Sequence, residues 1–498
     1  DYALTESAEY FHQCSTILSR GNGAEVETHQ VFEFYEHYSR FLILEGHYSE
    51  AYKLLSSWRK FGKANKSVHD YLMAGIEIGG LLWTQSRYHR SRNVLNSILP
   101  LAVKAGDKKA EAMVHAIRCQ LERRTGDFAA AQQAGRDAVK LAAEIGDKDT
   151  LAEAYNRLGL AYWGTGNLDE AAEVYRQSVE LESNDLRRLA LTQNNLAIIE
   201  QERGFFIKSE ELAKIALDTF DKMGDRRNVA YASGNLANLS RIFGKLSRAE
   251  NLFLQADLIF QRLDDRHAHY YTVGNLGDIE MMRGDLTAAR EKFEEVARFA
   301  AEVDDKELMS ECDVRFGELA FFGGDSDQAE SLYRQAIATA EEIGSIEYQT
   351  RGCIGLARLL IGKRDHREAL EVITNIQRLA GTASAPLSDN EAVFLTGEHH
   401  RISNEFGLAA GCYNKSLAFA KEQNIFELIL KSAIRLWETS PPSQASAASV
   451  LLELRDYFTE HNGSDSWPQL LESSYFSFFS GSLRRVAGQE QPASLPTL

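Results

Sequence analysis

A motif returns along the middle of this chain at a fixed interval. Asn194-Asn195-Leu196-Ala197, Gly234-Asn235-Leu236-Ala237 and Gly274-Asn275-Leu276-Gly277 each carry a glycine eight residues after the leucine: Gly204, Gly244 and Gly284. Five residues further on stand Ser209, Ala249 and Ala289, and the last two intervals are 40 residues. A period of this size marks an array of stacked supersecondary units, each packing on its neighbours rather than on one shared core. It overrides the several separate domains that a chain of 498 residues would otherwise suggest.

The frame extends from Gly46 through Gly126, Gly166, Gly204, Gly244, Gly284 and Gly324, with Ser86, Arg364 and Asn404 at the same position in weaker repeats. Only the step from Gly166 to Gly204 departs, by two residues. Helical periodicity flanks each turn, with a first helix expected over 151–164 or 229–243 and a second over 168–182 or 246–263. In the second helices a small residue is followed by a large one four positions on: Ala51/Leu55, Ala171/Tyr175, Ala289/Phe293, Ala329/Tyr333. That spacing puts both on one helix face, where the small one admits a neighbouring helix and the large one fills the layer between.

Between repeats run Gly106-Asp107, Gly146-Asp147, Asn184-Asp185, Gly224-Asp225, Asp264-Asp265, Asp304-Asp305 and Gly344-Ser345. Gly and Asn tolerate the left-handed conformation that ends a helix, and Asp caps the next one. The commonest two-helix repeat is shorter, so both helices should be lengthened here. The seven prolines avoid residues 101–385, which leaves the central helices unbroken.

The residues that carry the frame resemble tetratricopeptide repeats: Leu158-Gly159, Gly166-Asn167 and Ala171 with Tyr175; Leu276-Gly277, Gly284-Asp285, Ala289 and Phe293; Ala320, Gly324-Asp325, Ala329 and Tyr333. The resemblance covers residues 28–423 and is strongest over 110–375. The 40-residue spacing with Asn in the first helix is similar to the arrays of the spindle-orientation adaptor, of kinesin light chains and of bacterial signalling ATPases and kinases. It implies an all-α fold, a right-handed superhelical solenoid of antiparallel helix pairs, whose first helices line a concave side and bind peptides or partner elements. This chain departs from the family in lacking proline at its repeat junctions.

Composition narrows the partner. With 72 acidic and 55 basic residues the formal charge is -17, which opposes general nucleic-acid binding, where clustered cations must neutralise phosphates. Five scattered cysteines fit buried thiols in a reducing cytoplasm better than a disulfide framework. No stretch reads as a membrane span. The first residue is Asp1 rather than Met, so a longer parent protein with a catalytic domain elsewhere is one expectation.

Candidate binding residues lie in the first helices. Asn195, Asn235 and Asn275 recur at one frame position, with Asn156 and Asn194 one residue earlier; Asn238 and Asp278 extend the face by a turn. An amide both donates and accepts, so a row of them could hold an extended backbone or instead tie neighbouring helices together. Tyr231 and Tyr271 precede the row by four residues, and Tyr is a good interface anchor. Arg157 and Arg315 replace Asn in their own repeats and suit a bidentate clamp on a carboxylate, or a solvated helix face. Glu318 and Arg358 continue the Asn238/Asp278 position. The neighbouring histidines His267/His269 and His399/His400 lack metal-site spacing, and no nucleotide loop or closely spaced cysteine pattern is present.

The expected organisation is a partial helical cap over 1–27, a solenoid over 28–376, a longer loop and degenerate repeat over 377–437, capping helices over 438–487 and a disordered tail over 488–498. Tyr475–Phe479 could seal the last repeat or dock a second copy or domain. The functional expectation is a cytoplasmic scaffold that binds a protein or peptide, without cofactor, metal or catalysis. A regulatory module of a larger signalling enzyme, bound by another domain of the same polypeptide, and a homo-oligomeric adaptor are the alternatives.

Overall fold

The computed structural model describes residues 28–472 apart from 45–46, 86, 125–126, 182–184, 264, 304, 440–443 and 464–465. Among these residues there are helices and no strand. The chain forms two compact units, one of residues 1–165 and 173–188, the other of residues 166–172 and 189–498.

The first unit holds α1 (Thr28–Leu44), α2 (Tyr48–Ala64), α3 (Val68–Thr84), α4 (Tyr88–Ala105), α5 (Lys108–Arg124), α6 (Phe128–Ile145), α7 (Lys148–Trp163) and most of α8 (Leu168–Glu180). The second holds most of α9 (Leu186–Glu202), and α10 (Phe206–Lys222), α11 (Arg226–Ile242), α12 (Leu246–Arg262), α13 (Arg266–Arg283) and α14 (Leu286–Val303). It continues through α15 (Lys306–Phe322), α16 (Ser326–Ile343), α17 (Ile346–Lys363), α18 (His366–Ala383) and α19 (Pro386–Ile402). It ends, among the described residues, with α20 (Phe406–Glu422), α21 (Phe426–Thr439), α22 (Gln444–Asn462) and α23 (Ser466–Glu472). Odd-numbered helices through α21 are the first helices of repeats; even-numbered ones through α20 are the second.

The period follows from local chemistry. α13 and α14 have 18 residues each, and two-residue turns complete the 40. Gly284 ends α13 at φ 89°, and Asp285 caps α14 by accepting from the Ala288 N–H at 2.9 Å. Asp225 and Asp325 cap α11 and α16 in the same way. These aspartates place negative charge at helix N-termini, where the helix dipole favours it. Arg364 and Asn404, which replace glycine, adopt the same left-handed turn at φ 61°. An L-residue there costs roughly 1–2 kcal/mol, and the array keeps its geometry despite it.

Each repeat buries its small/large pair. Ala289 and Phe293 are fully buried, as are Ala329 with Tyr333 and Ala409 with Tyr413. Gly277 faces the Phe293 ring so closely that a Cβ would lie 2.4 Å from it. Gly317 and Gly397 face Tyr333 and Tyr413 in the same manner. This close approach explains the glycine seven residues before each of these turns.

Two expectations are corrected. The longer loop over 379–390 does not exist: α18 runs to Ala383 and α19 begins at Pro386, leaving a two-residue connection. Pro386 occupies the first turn of α19, where a missing N–H costs nothing, so it starts a helix instead of interrupting one. The repeat over 377–437 therefore has full-length helices. α8, in the interval between Gly166 and Gly204 that is two residues short, has 13 residues, and the two compact units divide within that helix. The cap over 1–27, the turn residues Gly46, Ser86 and Gly126, the Tyr475–Phe479 cluster and the tail over 488–498 lie outside the described residues.

Candidate functional site

The first helices of adjacent repeats touch one another directly: α11 with α13, α15 with α17, α17 with α19, α19 with α21 in the second unit, and α3 with α5 and α5 with α7 in the first. Such contact places first helices on the inner side of each curve. Large apolar side chains on second helices, such as Ile215, Leu254 and Leu258, remain exposed on the other side.

The inner side of the second unit starts with amides and tyrosines. Asn235 Nδ2 donates to Asn194 Oδ1 at 2.9 Å, so the rung between α11 and α9 uses Asn194. Asn194, Asn238 and Asn275 are buried, whereas Asn195 and Asn235 are half-buried. Asn275 donates to the Tyr271 carbonyl of its own helix at 2.9 Å. The amide row therefore knits helices together over part of its length. Tyr231 and Tyr271 stay 41% exposed. The Tyr231 hydroxyl donates to Asp265 at 3.0 Å, and its ring rests 5.0 Å from that of Phe260. Tyr271 is open to solvent yet surrounded: the enclosing protein, with Glu311 and Glu347, raises its hydroxyl pKa.

Arg315 is not an open clamp. It is 1% exposed, and Nε and Nη2 donate to the two Asp278 oxygens at 2.9 and 3.1 Å. Nη2 also lies 3.1 Å from Glu311. Burial would raise the Asp278 carboxyl, but Arg315 outweighs it and holds the carboxyl below its usual range. Arg315 and Asp278 fix α15 to α13 and are unavailable to a partner. Helical register places both on the inner face but does not reveal depth.

Beyond this brace the face is charged. Glu318 and Arg358 are half-buried on α15 and α17. Enclosure raises the Glu318 carboxyl despite Arg358 and Arg351, and Glu427, three repeats away, adds to the rise. Arg358 lines a cavity of about 280 Å³ between α15, α17, α19 and α21. Phe321, Phe394, Leu395 and Ile402 supply its apolar wall. Buried Arg435 donates to Glu398 through Nε at 2.8 Å and Nη2 at 3.1 Å. Lys431 donates to both oxygens of Glu391 at 2.7 Å. Tyr413 donates to Glu398 at 2.5 Å. Burial would raise the Glu398 carboxyl; Arg435 and Arg401, with the Tyr413 hydroxyl, hold it down instead.

Asn156 and Arg157 belong to the first unit. Asn156 is buried, and half-buried Arg157 pairs with Glu153 one turn earlier on α7. Arg188 also approaches Glu153, at 3.5 Å.

Comparison with known families agrees with the helix pairs. A family model described as the MalT-like TPR region matches residues 193–393, and one described as a tetratricopeptide repeat matches residues 112–181. The chain is a tetratricopeptide-repeat protein. No curated protein sequence matches it. Among solved structures, a Rap protein complexed with Competence and Sporulation Factor is similar in fold, with TM-score 0.52 and 11% identity over 77% of this chain and 100% of that one. The apo quorum sensor NprR from B. thuringiensis gives TM-score 0.47 and 16% identity over 68% of this chain and 96% of its own. A signal transduction ATPase from Pyrococcus horikoshii with a tetratricopeptide repeat sensor gives 0.43 and 14%, over 67% and 57%.

Glu398, Arg435, Lys431 and Glu391 were not singled out from sequence. A signal existed: Arg435 follows Glu398 by 37 residues, the same separation that Arg315 keeps from Asp278. The cysteines sit where helical patterning puts small core residues. Cys119, Cys312 and Cys353 are buried, and burial pushes the first two thiols up to about 12 and the third to about 11. His267 meets Asp305 at 3.1 Å and His269 meets Asp257 at 2.5 Å. No helix among the described residues is long and apolar enough to cross a membrane.

Proposed function

We propose that the tetratricopeptide array is a protein-binding scaffold, in a reducing cytoplasmic setting that suits its buried thiols, and that its partner lies along the first-helix face of the second unit. The observation that carries this reading is the division of labour on that face. Buried pairs, Asp278–Arg315 and Glu398–Arg435, hold the helices in place. Alongside them on the same face stand the half-open groups Asn195, Tyr231, Tyr271, Glu318 and Arg358, and a cavity. Aromatic and Arg side chains on a preorganised surface are the usual anchors of interfaces. The amide and tyrosine stretch suits an extended backbone, and the cavity suits one apolar side chain of the same segment.

The test is partner capture with the wild type beside Gly362→Leu and Tyr271→Ala. Gly362 lines the cavity, and a Cβ there meets nothing within 4 Å, so the leucine enters the cavity without disturbing the helix. Loss of the same partner from both variants, with helicity retained by circular dichroism, supports the reading. Undiminished capture by both contradicts it.

A further inference from the structure

The second unit meets itself far along the chain. At the Gly166 turn a Cβ would lie 3.4 Å from Ile346 and 3.8 Å from Ala383. Ser384 Oγ donates to Asp169 at 3.1 Å, across 215 residues. The next turn, Gly204, lies against Phe419 and Pro386. The next, Gly244, lies against Phe426, with room for a hydrogen but not a methyl: a Cβ would be 2.6 Å from the ring. There the Asn462 side chain closes a clasp. Its Nδ2 donates to the Gly244 carbonyl at 2.7 Å, and its Oδ1 accepts from the Ser247 N–H at 3.1 Å, again across about 215 residues. Phe458 stacks on Phe426 at 4.9 Å, and Lys245 sits over the Tyr457 ring at 5.9 Å. Three successive turns of one stretch therefore meet three successive junctions of a later one.

This seam joins one coil of the array to the next. The first helices already lie on the inner side of the curve, so the seam removes the gap through which a bulky partner would reach them from the side. We propose that the first-helix face of the second unit is the wall of a laterally closed passage, which takes an extended protein segment entering from an end and excludes a folded domain. This inference rests on the proposed binding face for its biological meaning, but the geometry is tested without any partner. Asn462, Tyr457 and Phe458 of α22 hold the seam shut at its Gly244 junction.

The test is graded thiol access. Glu318→Cys and Tyr271→Cys are placed singly in a Cys14→Ser, Cys412→Ser background, with Leu254→Cys, 51% exposed in the native protein, as the outer control. Each is treated with N-ethylmaleimide and with a maleimide carried on a small folded protein. The expected result is that the outer thiol takes both reagents and the inner thiols take only the small one. Adding Asn462→Ala and Phe458→Ala should admit the protein-borne reagent to the inner thiols. Equal modification of inner and outer thiols by the large reagent overturns the closed passage. Inner thiols that refuse even N-ethylmaleimide overturn it as well, since no segment would then enter. Should the clasp variant not fold, the first comparison decides alone. Failure of the binding-face reading would leave these labelling patterns unchanged and appear only in partner capture.

Discussion

Arg435 stands to Glu398 as Arg315 stands to Asp278, three repeat periods away. Both arginines donate Nε and Nη2 to the two oxygens of a carboxylate 37 residues earlier, at 2.8 and 3.1 Å in one case and 2.9 and 3.1 Å in the other. Each joins the first helices of adjacent repeats. A planar guanidinium matched to a carboxylate fixes distance and angle together, which a lysine cannot do.

Removing Asp278 leaves Arg315 buried beside Glu311 without its bidentate partner. Asp278→Ala should cost about 3–5 kcal/mol, whereas the double replacement Asp278→Leu, Arg315→Met should recover most of that loss. Urea unfolding followed by circular dichroism measures both. A double variant no better than the single would show that the pair itself, and not the stranded cation, carries the stability.

The same carboxylates set an acid limit. Both folded-state values are depressed below the ordinary range. Their contribution is therefore complete above the unfolded carboxyl value of about 4 and is lost as pH falls through the folded values. Wild type should lose stability across that window more steeply than the Asp278→Leu, Arg315→Met variant, as thermal melts at stepped pH would record.

Two tyrosines at equivalent frame positions should respond in opposite ways. Tyr413 donates to charged Glu398, while the buried Tyr333 hydroxyl has no hydrogen-bond partner among the described residues. Tyr413→Phe should cost about 1.5–3 kcal/mol. Tyr333→Phe should be neutral or mildly stabilising. Equal losses in thermal denaturation would mean that the Tyr333 hydroxyl is satisfied in solution.

The seam predicts a contrast between two glycines. Gly224 and Gly244 have φ of 69° and 75°, so alanine strains either by roughly 1–2 kcal/mol. A Cβ at Gly224 meets nothing, whereas one at Gly244 strikes Phe426. Gly244→Ala should therefore lower the melting temperature further than Gly224→Ala. Indistinguishable melts would argue against tight packing at the clasp.

Much of this fold was legible before any coordinates, because each turn demands a left-handed residue at a fixed interval and each second helix demands a small/large pair. Even Arg364 and Asn404 were placed correctly in the frame, and both adopt the turn. Pro386 misled because a proline signals either a break or a helix start, and only the neighbouring helix ends decide between them. The site was read less completely. The frame assigns Arg315, Asp278 and Tyr271 to one face but not their depth, and depth separates a buried brace from an exposed anchor. The pairing of Glu398 with Arg435 depends on how one repeat sits on the next, which register alone does not supply.

Site-specific photo-cross-linking tests the proposed binding face most directly. A benzophenone side chain placed at 271 or 318 on the inner face, or at 254 on the outer, would be irradiated in extract and the adducts identified by mass spectrometry. The expected result is one partner segment cross-linked from both inner positions and absent from the outer one. Adducts of that partner from position 254 alone would contradict the assignment of the first-helix face.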